Sequence, residues 1–470
     1  MIEWRAEIEK RQEAFLEDLK TMLRVESVRD DSQASAAAPF GPGPKEALET
    51  FLLIAKEAGF RTKNIDNVVG YAEIGPIDAP ESVAVLAHVD VMPAGEGWES
   101  NPFEPIVKDG KVIARGASDD KGPGMAAFYG MKILNELNVP LKRRVRFIVG
   151  TDEENDWGDM DKYFSVEPQP TMGFSPDAEF PVINGEKGNV TYEVKFNGTN
   201  NGDFKLLSFT SGLRPNMVPG KAVALVQSPD ASVMIEQFNE FLENQPQISG
   251  YFEPLPEGIQ FVINGKQVHG ASPEIGENAG TYLAKFLKEF AFVGQAKGYL
   301  DLLGGVLHDD ALGQKLGVAH VDDVMGPLTM NIGIQKFEID KPGFINLNFR
   351  YPKGVDYRVI GEMLHKQLTT LSAEVVLGGH HMAPHYVPSD DEIVKTLIDV
   401  YNHQTGLNGV AEVVGGGTYG RLMERGVAFG ALFPGDEDTM HQANEFMTID
   451  SLIKAAAIYG EAIERLATQG

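Results

Sequence analysis

The sequence predicts an α/β protein that carries an inserted α+β domain, and three observations support this. A nearly continuous apolar run at 82–90 is typical of a strand buried on both faces of a parallel sheet, and a second strand is predicted at 143–151. A helical pattern at 122–137 separates them, which gives the strand–helix–strand order of α/β folds. Past about Gly185 the segments alternate apolar and polar residues, as antiparallel strands with one exposed face do.

The α/β pattern resumes near Pro384, so we expect the first domain to be discontinuous. Its predicted bounds are 1–185 and 385–470, and the inserted domain covers 186–384. In the first domain we also predict helices at 2–24, 44–58, 390–402 (opened by a capping box of Ser389 and Glu392) and 449–466. In the insert we predict strands at 190–198, 221–228, 258–265 and 344–352 and helices at 229–245, 275–291 and 355–371.

The composition excludes several classes of partner and of active-site chemistry before any motif is considered. The 470-residue chain contains 41 Lys+Arg and 68 Asp+Glu, and its net charge of -27 makes nucleic acid and anionic membrane surfaces poor partners. It contains no cysteine, which fits a reducing compartment and excludes thiolate ligands and nucleophiles. We see no apolar leader and no run long enough to span a membrane, so we expect a cytoplasmic protein.

Five short polar motifs lie at the ends of the predicted α/β strands or in the loops beyond them. Each alone is also typical of a structural role, such as a helix N-cap or a solvent-exposed turn. Together they offer two histidines, several carboxylates and no sulfur, which suits two divalent cations with one bridging carboxylate. A glutamate next to a ligand glutamate would be placed to act as general base. The motifs are 88–90 (HVD), 115–122 (RGASDDKG), 151–155 (TDEEN), 175–177 (SPD) and 435–445 (GDEDTMHQANE).

The order of these motifs resembles that of the M20 family of dinuclear metallopeptidases and deacylases, over the whole chain. Within the family, the resemblance is strongest to bacterial dipeptidases and their carnosinase-like relatives. It implies a mixed-sheet α/β/α zinc-peptidase catalytic domain with an α+β lid domain inserted. It also implies two Zn²⁺ ions per chain, for which Co²⁺ or Mn²⁺ are substitutes because nitrogen and oxygen ligands do not distinguish these metals.

The resemblance implies a role for particular residues of the first domain. One zinc ion would be held by His88, Asp119 and Asp177. The other would be held by Asp119, Glu154 and His441, so that Asp119 bridges the two ions. Glu153 is implied as the general base, Asp90 as the carboxylate partner of His88, and a cis peptide is implied between Asp119 and Asp120.

The same resemblance implies residues that contact the substrate. His269, in the segment VHGASP, would reach the scissile carbonyl and stabilise the oxyanion. Arg350 and Asn216 would bind the substrate carboxylate or the developing oxyanion, and the turn with Gly416 and Arg421 would line the pocket. Without the resemblance, His269 and Arg350 would be interpreted as ordinary surface residues.

We therefore expect a broad-specificity dipeptidase that acts on dipeptides with a free N-terminus, through metal-activated water and a glutamate base. A deacylase of N-acylated amino acids, from the same family, is the nearest alternative. A non-catalytic peptide-binding receptor is a more distant one, because every expected metal and base position is filled. We also expect a monomer, because so large a lid could supply His269 within one chain.

Overall fold

The computed structural model describes residues 2–371 and 373–469, which form two compact units. The mixed α/β class predicted from the sequence is confirmed. Within the described residues, no helix is both long and apolar enough to cross a membrane. The first unit comprises Met1–Gly185, Tyr386–Val413 and Gly417–Gly470, and the second comprises Glu186–His385 and Val414–Gly416.

A mixed sheet forms the centre of the first unit. The strand Ser82–His88 is buried along its whole length and pairs in parallel with Arg144–Gly150 on one side and Met172–Ser175 on the other. Its side chains are apolar on both faces, as a strand covered by helices on both sides requires. The strands follow one another across the sheet in the order Arg61–Ile65, Val69–Ile74, Arg144–Gly150, Ser82–His88, Met172–Ser175, Gly426–Ala428 and Val182–Glu186.

The helices of the first unit include Lys121–Glu136 and Ile449–Thr468, which pack closely together. Their backbones meet where Gly130 faces Gly460, since a Cβ atom on Gly130 would lie 2.7 Å from the Gly460 nitrogen. Thr448 caps the second of these helices by accepting the Ser451 amide at 3.0 Å. The other helices are Trp4–Glu9, Gln12–Leu23, Pro42–Glu57, Gly158–Val166 and Glu392–Thr405.

Two local predictions for the first unit are wrong. The single helix expected at 2–24 is divided into two helices, with the break at Lys10 and Arg11. The capping box is also absent, because Asp391 rather than Ser389 accepts the Ile393 amide, at 3.0 Å.

The second unit contains an eight-stranded antiparallel sheet with helices. The strand Gly188–Phe196 alternates buried and partly exposed residues, which confirms the pattern predicted for this region. The strand order is Ser249–Leu255, Gly258–Asn264, Lys221–Gln227, Lys205–Ser211, Thr329–Glu338, Gly343–Tyr351, Gly188–Phe196 and Ala373–Met382. Its α-helices are Ala231–Glu243, Ala279–Leu287, Gly294–Asp301 and Tyr357–Leu368.

Candidate metal centre

The predicted metal ligands lie where strands of the first unit end. His88 is the last residue of its strand, and Glu154 and Asp177 lie just beyond the ends of the two strands that pair with it in parallel. Because parallel strands end at the same edge of a sheet, these side chains converge. Asp119 lies just before the helix Lys121–Glu136, and His441 lies in the loop that follows Ala431–Leu432.

Asp119 stands between the two imidazoles. Its Oδ1 lies 3.0 Å from His88 Nε2 and its Oδ2 lies 2.8 Å from His441 Nε2. Glu154 Oε1 is 3.1 Å from His441 Nε2, and Asp177 Oδ2 is 3.7 Å from His88 Nε2. The two oxygens of one carboxylate therefore face two separate groups of donors, as a bridging ligand would.

The donor atoms form two compact groups. In each group the ligand atoms lie within 4.8 Å of one another. One group is Asp119, Glu154 and His441; the other is His88, Glu153 and Asp177. Glu153 therefore lies beside His88 and Asp177, which the resemblance implies as ligands of one cation. A general base would be useful at this position.

The ionisable side chains of this site shift the pKa values of one another. Contacts with the carboxylates of Asp119 and Glu154 raise the pKa of His441 to about 11. Burial raises the pKa of Glu154 to about 7, with a further contribution from the Asp119 charge, and burial also raises the pKa of Glu153. Burial alone would favour the neutral form of Asp119, but contacts with His441 and His88 outweigh it and lower that pKa. Several crowded carboxylates thus need positive charge nearby.

The donor set fits divalent cations. The His88 side chain is 1% exposed, and its Nε2 has no partner with hydrogen-bond geometry among the described residues, although Asp119 is close. A buried polar atom without a hydrogen bond is costly, and a metal bond would satisfy it. Only nitrogen and carboxylate oxygen donors are present, and these are the ligands of Zn²⁺, Co²⁺ and Mn²⁺ sites.

Asp90 contacts His88, as the sequence suggested, and it also binds the backbone of the two glutamates, which the sequence did not suggest. His88 Nδ1 lies 3.1 Å from the Asp90 carbonyl oxygen and 3.4 Å from its carboxylate. The two carboxylate oxygens of Asp90 accept the backbone amides of Glu153 at 3.2 Å and Glu154 at 3.1 Å. The carboxylate therefore holds both glutamates, while the carbonyl makes the closer contact with the imidazole.

Glu445 holds the loop that carries Asp119, a role that the sequence did not reveal. It is fully buried, and its Oε1 accepts the amides of Ser118 at 2.7 Å and Asp119 at 3.1 Å. Its Oε2 accepts Arg115 Nη1 at 2.6 Å and the Gly116 amide at 3.2 Å. The only available signal was that Glu445 ends the motif that also contains His441.

The peptide bond between Asp119 and Asp120 is cis, as the resemblance implies. Asp120 is fully buried, and its Oδ2 accepts the His88 amide at 3.3 Å. Burial raises the pKa of Asp120. This side chain therefore joins the loop of Asp119 to the end of the strand that carries His88.

Four of the predicted substrate-binding residues lie in the second unit. The Gly270 amide, next to His269, donates to the Asn216 carbonyl at 2.7 Å. Arg350 is 7% exposed and its Nη1 donates to the Gly415 carbonyl at 2.8 Å, beside Gly416. Arg421, the fifth, belongs to the first unit, in the short helix Tyr419–Leu422.

A family model for peptidase family M20/M25/M40 matches residues 84–465. The chain belongs to this family. The M20 assignment made from the motifs is therefore confirmed.

Two relatives resemble this chain over its whole length. A protein of Staphylococcus epidermidis, provisionally named a dipeptidase, is 43% identical over 473 residues, which cover 99% of this chain and 100% of the relative. A protein of Staphylococcus aureus with the same provisional name is 41% identical over 471 residues, with the same coverage.

Solved structures show the same fold at low sequence identity. Human carnosine dipeptidase 1 is 15% identical with a TM-score of 0.58, and the match covers 99% of this chain and 98% of that one. The dipeptidase Dug1p of Saccharomyces cerevisiae is 14% identical with a TM-score of 0.58, over 98% of each chain.

Proposed function

We propose that this protein is a metal-dependent dipeptidase that hydrolyses the peptide bond of dipeptides with a free N-terminus. The observation that carries the proposal is the arrangement around Asp119, whose two carboxylate oxygens face His88 and His441. Membership of the family and the two relatives provisionally named dipeptidases support the same reaction. The first unit would be the catalytic domain and the second would be its lid.

We propose two divalent cations, Zn²⁺ first and Co²⁺ or Mn²⁺ as substitutes. When bound, such ions supply Lewis-acid polarisation of the scissile carbonyl and of the attacking water. One ion would be held by His88, Asp119 and Asp177, and the other by Asp119, Glu154 and His441.

Glu153 is proposed as the general base. Its carboxylate is half-buried beside His88 and Asp177, and burial raises its pKa, which brings the group closer to the range in which a carboxylate can accept a proton from water. The backbone of Glu153 is held by Asp90 and by the Trp157 indole, which donates to the Glu153 carbonyl at 2.7 Å. After attack, the same carboxyl would deliver the proton to the leaving amine.

His269 is proposed to stabilise the oxyanion, and its local contacts favour this role. His269 is exposed, but partial desolvation of its ring, followed by the charge of Arg350, lowers the pKa of the imidazole and so favours its neutral form. Its Nδ1 accepts the Ala271 amide at 3.3 Å, which leaves the ring proton on Nε2. That N–H can donate to the negative charge that develops on the carbonyl oxygen.

Arg350 is proposed to bind the C-terminal carboxylate of the dipeptide. A guanidinium binds a carboxylate through two parallel hydrogen bonds, and the contact with Gly415 orients its plane. Asn216 would contribute a further hydrogen bond, and Gly416 and Arg421 would line the pocket.

The experiment compares hydrolysis of a free dipeptide with hydrolysis of its N-acetylated form, using protein loaded with Zn²⁺ or Mn²⁺. We expect the free dipeptide to be hydrolysed faster. Preference for the acetylated form would favour a deacylase, and binding without hydrolysis of either would favour a receptor.

A substitution tests the assignment of the base. Glu153→Gln should lose most of its turnover while retaining two metal ions per chain. Asp156→Asn is the matched control, because Asp156 lies in the same loop with its side chain 76% exposed. A Glu153→Gln protein with full metal content and wild-type turnover would disprove the role of Glu153.

A further inference from the structure

The loop 151–154, which carries both glutamates of the site, is held through its backbone by two carboxylates. Asp90 accepts the amides of the two glutamates, as described above. Asp159 Oδ2 accepts the two preceding amides, from Thr151 at 2.6 Å and from Asp152 at 3.0 Å. Four consecutive N–H groups are therefore bound by oxygens of two buried side-chain carboxyl groups, which together fix the backbone of this loop.

Tyr419 connects this loop to a second element of the first unit. Its hydroxyl donates to the same oxygen, Asp159 Oδ2, at 2.6 Å. Its ring packs edge-to-face on Trp157, with 5.3 Å between the ring centroids. The Trp157 indole in turn donates to the Glu153 carbonyl, so Tyr419 contacts two of the groups that hold the loop.

Both side chains are out of reach of a substrate. Asp159 is fully buried in the first turn of the helix Gly158–Val166, and Tyr419 is 1% exposed. Neither belongs to the two groups of donor atoms at the metal centre. Tyr419 also packs edge-to-face on His88, with 6.2 Å between the ring centroids. A substitution that tests the loop must therefore keep the Tyr419 ring and change only its hydroxyl.

We propose that Asp159, with Tyr419 as its hydrogen-bond donor, is the positioning residue that fixes Glu153 and Glu154 for catalysis. The role rests on the proposed function, since it assigns the placement of the proposed base. A base displaced by about 1 Å can lose on the order of a hundredfold in rate, even when the chemistry of the base is unchanged.

The test uses the metal-loaded full chain with three substitutions. Asp159→Asn keeps the shape but replaces one accepting oxygen with an amide group that can only donate, and Tyr419→Phe removes only the hydroxyl. Tyr163→Phe is the matched control, because Tyr163 is a fully buried tyrosine of the same helix whose hydroxyl instead accepts Arg146 Nη1 at 2.9 Å.

Three quantities are measured for each protein: kcat and KM on the better of the two dipeptide substrates, metal content, and hydrogen–deuterium exchange of the amides of 151–154. For Asp159→Asn we expect kcat to fall about tenfold or more, with KM within about twofold of wild type and two metals retained. Exchange of these amides should become faster. Tyr419→Phe should change kcat and amide exchange in the same direction, but by smaller amounts. Tyr163→Phe should match wild type.

The results separate this inference from the proposed function. If the wild type hydrolyses neither substrate, the proposed function fails, and amide exchange alone then decides whether Asp159 holds the loop. Unchanged exchange in both variants, or unchanged kcat with faster exchange, would overturn the positioning role. Should Asp159→Asn not fold, Tyr419→Phe provides the same comparison.

Discussion

Gly150 offers an independent way to disturb the loop that carries Glu153, without changing any polar side chain. A Cβ atom built on Gly150 would lie 2.3 Å from Asp159 Oδ2 and 2.6 Å from the Tyr419 hydroxyl oxygen. These separations are roughly 1 Å shorter than ordinary non-bonded contacts. In Gly150→Ala, the methyl group must therefore separate Asp159 from Tyr419 or move the strand end itself.

The cost can be worked out from these contacts. Overpacking of a buried site costs about 1–3 kcal/mol, and leaving a buried hydrogen-bonding group without its partner costs about 1–3 kcal/mol. We therefore expect Gly150→Ala to lower the free energy of unfolding by about 2–6 kcal/mol. Displacement of the base should also lower kcat by roughly a hundredfold.

The assay combines thermal unfolding followed by circular dichroism with steady-state kinetics. Gly305→Ala is the matched control, because the nearest atom to its added Cβ would be Lys288 Cδ at 4.0 Å. The control should keep wild-type turnover and change the free energy of unfolding by no more than about 1 kcal/mol. If Gly150→Ala unfolded at the same temperature as the control and kept its turnover, the reasoning from Asp159 and Tyr419 would be refuted.

Four further predictions concern other parts of the chain. Glu445→Gln should weaken Zn²⁺ or Mn²⁺ binding about 10–100-fold in titration calorimetry, because Glu445 holds the backbone of Asp119; unchanged affinity would contradict this. Arg350→Lys should raise KM for dipeptides more than it lowers kcat, since lysine cannot bind a carboxylate with two parallel hydrogen bonds. Burial, together with Lys285, lowers the pKa of His308 to about 4 from 6.5, so the folded protein resists protonation. The contribution of His308 to stability should therefore fall by on the order of 2–3 kcal/mol as pH drops from 6.5 toward 4, and the difference in unfolding free energy between the wild type and His308→Gln should change by that amount. Sedimentation should give a monomer at assay concentrations, and an obligate dimer would contradict that prediction.

Much of the fold was predictable because the sequence patterns report burial. The run at 82–90 is apolar on both faces since its strand lies in the middle of a mixed sheet, with parallel partners on both sides. The strand Gly188–Phe196 alternates because one face packs on the core of the second unit. The ends of parallel strands then indicated where polar residues distant in sequence, such as His88 and Glu154, would lie close together.

The capping error at the helix Glu392–Thr405 shows where local sequence is insufficient. Ser389 and Asp391 are both good N-cap residues, and their spacing from the helix does not decide between them. The side chain of Asp391 also forms an ion pair with Arg425 at 2.7 Å, a contact made by a distant part of the chain. That tertiary contact fixes Asp391 at the helix end, and no pattern near residue 390 reveals it.

The backbone contacts of the carboxylates that hold the site were missed for a related reason. Glu445, Asp159 and the carboxylate of Asp90 bind backbone N–H groups, and any residue except proline supplies such a donor. A contact of this kind therefore leaves no residue type and no spacing to recognise in the partner loop. Ligand motifs are different, because imidazole and carboxylate donors must be present at particular positions.

The acids in and around the metal centre thus divide into two kinds with different physical requirements. Asp119 and Glu154 direct oxygens at imidazoles and crowd negative charge, which divalent cations would offset. Asp159 and Glu445 direct their oxygens at backbone amides of the loops that carry those ligands, so their hydrogen bonds form without any cation. Because the loops are held in this way before metal binds, less conformational entropy is lost when the ions bind. Substitution of Glu445 should therefore weaken metal binding, and substitution of Asp159 should lower turnover, even though neither residue touches metal or substrate.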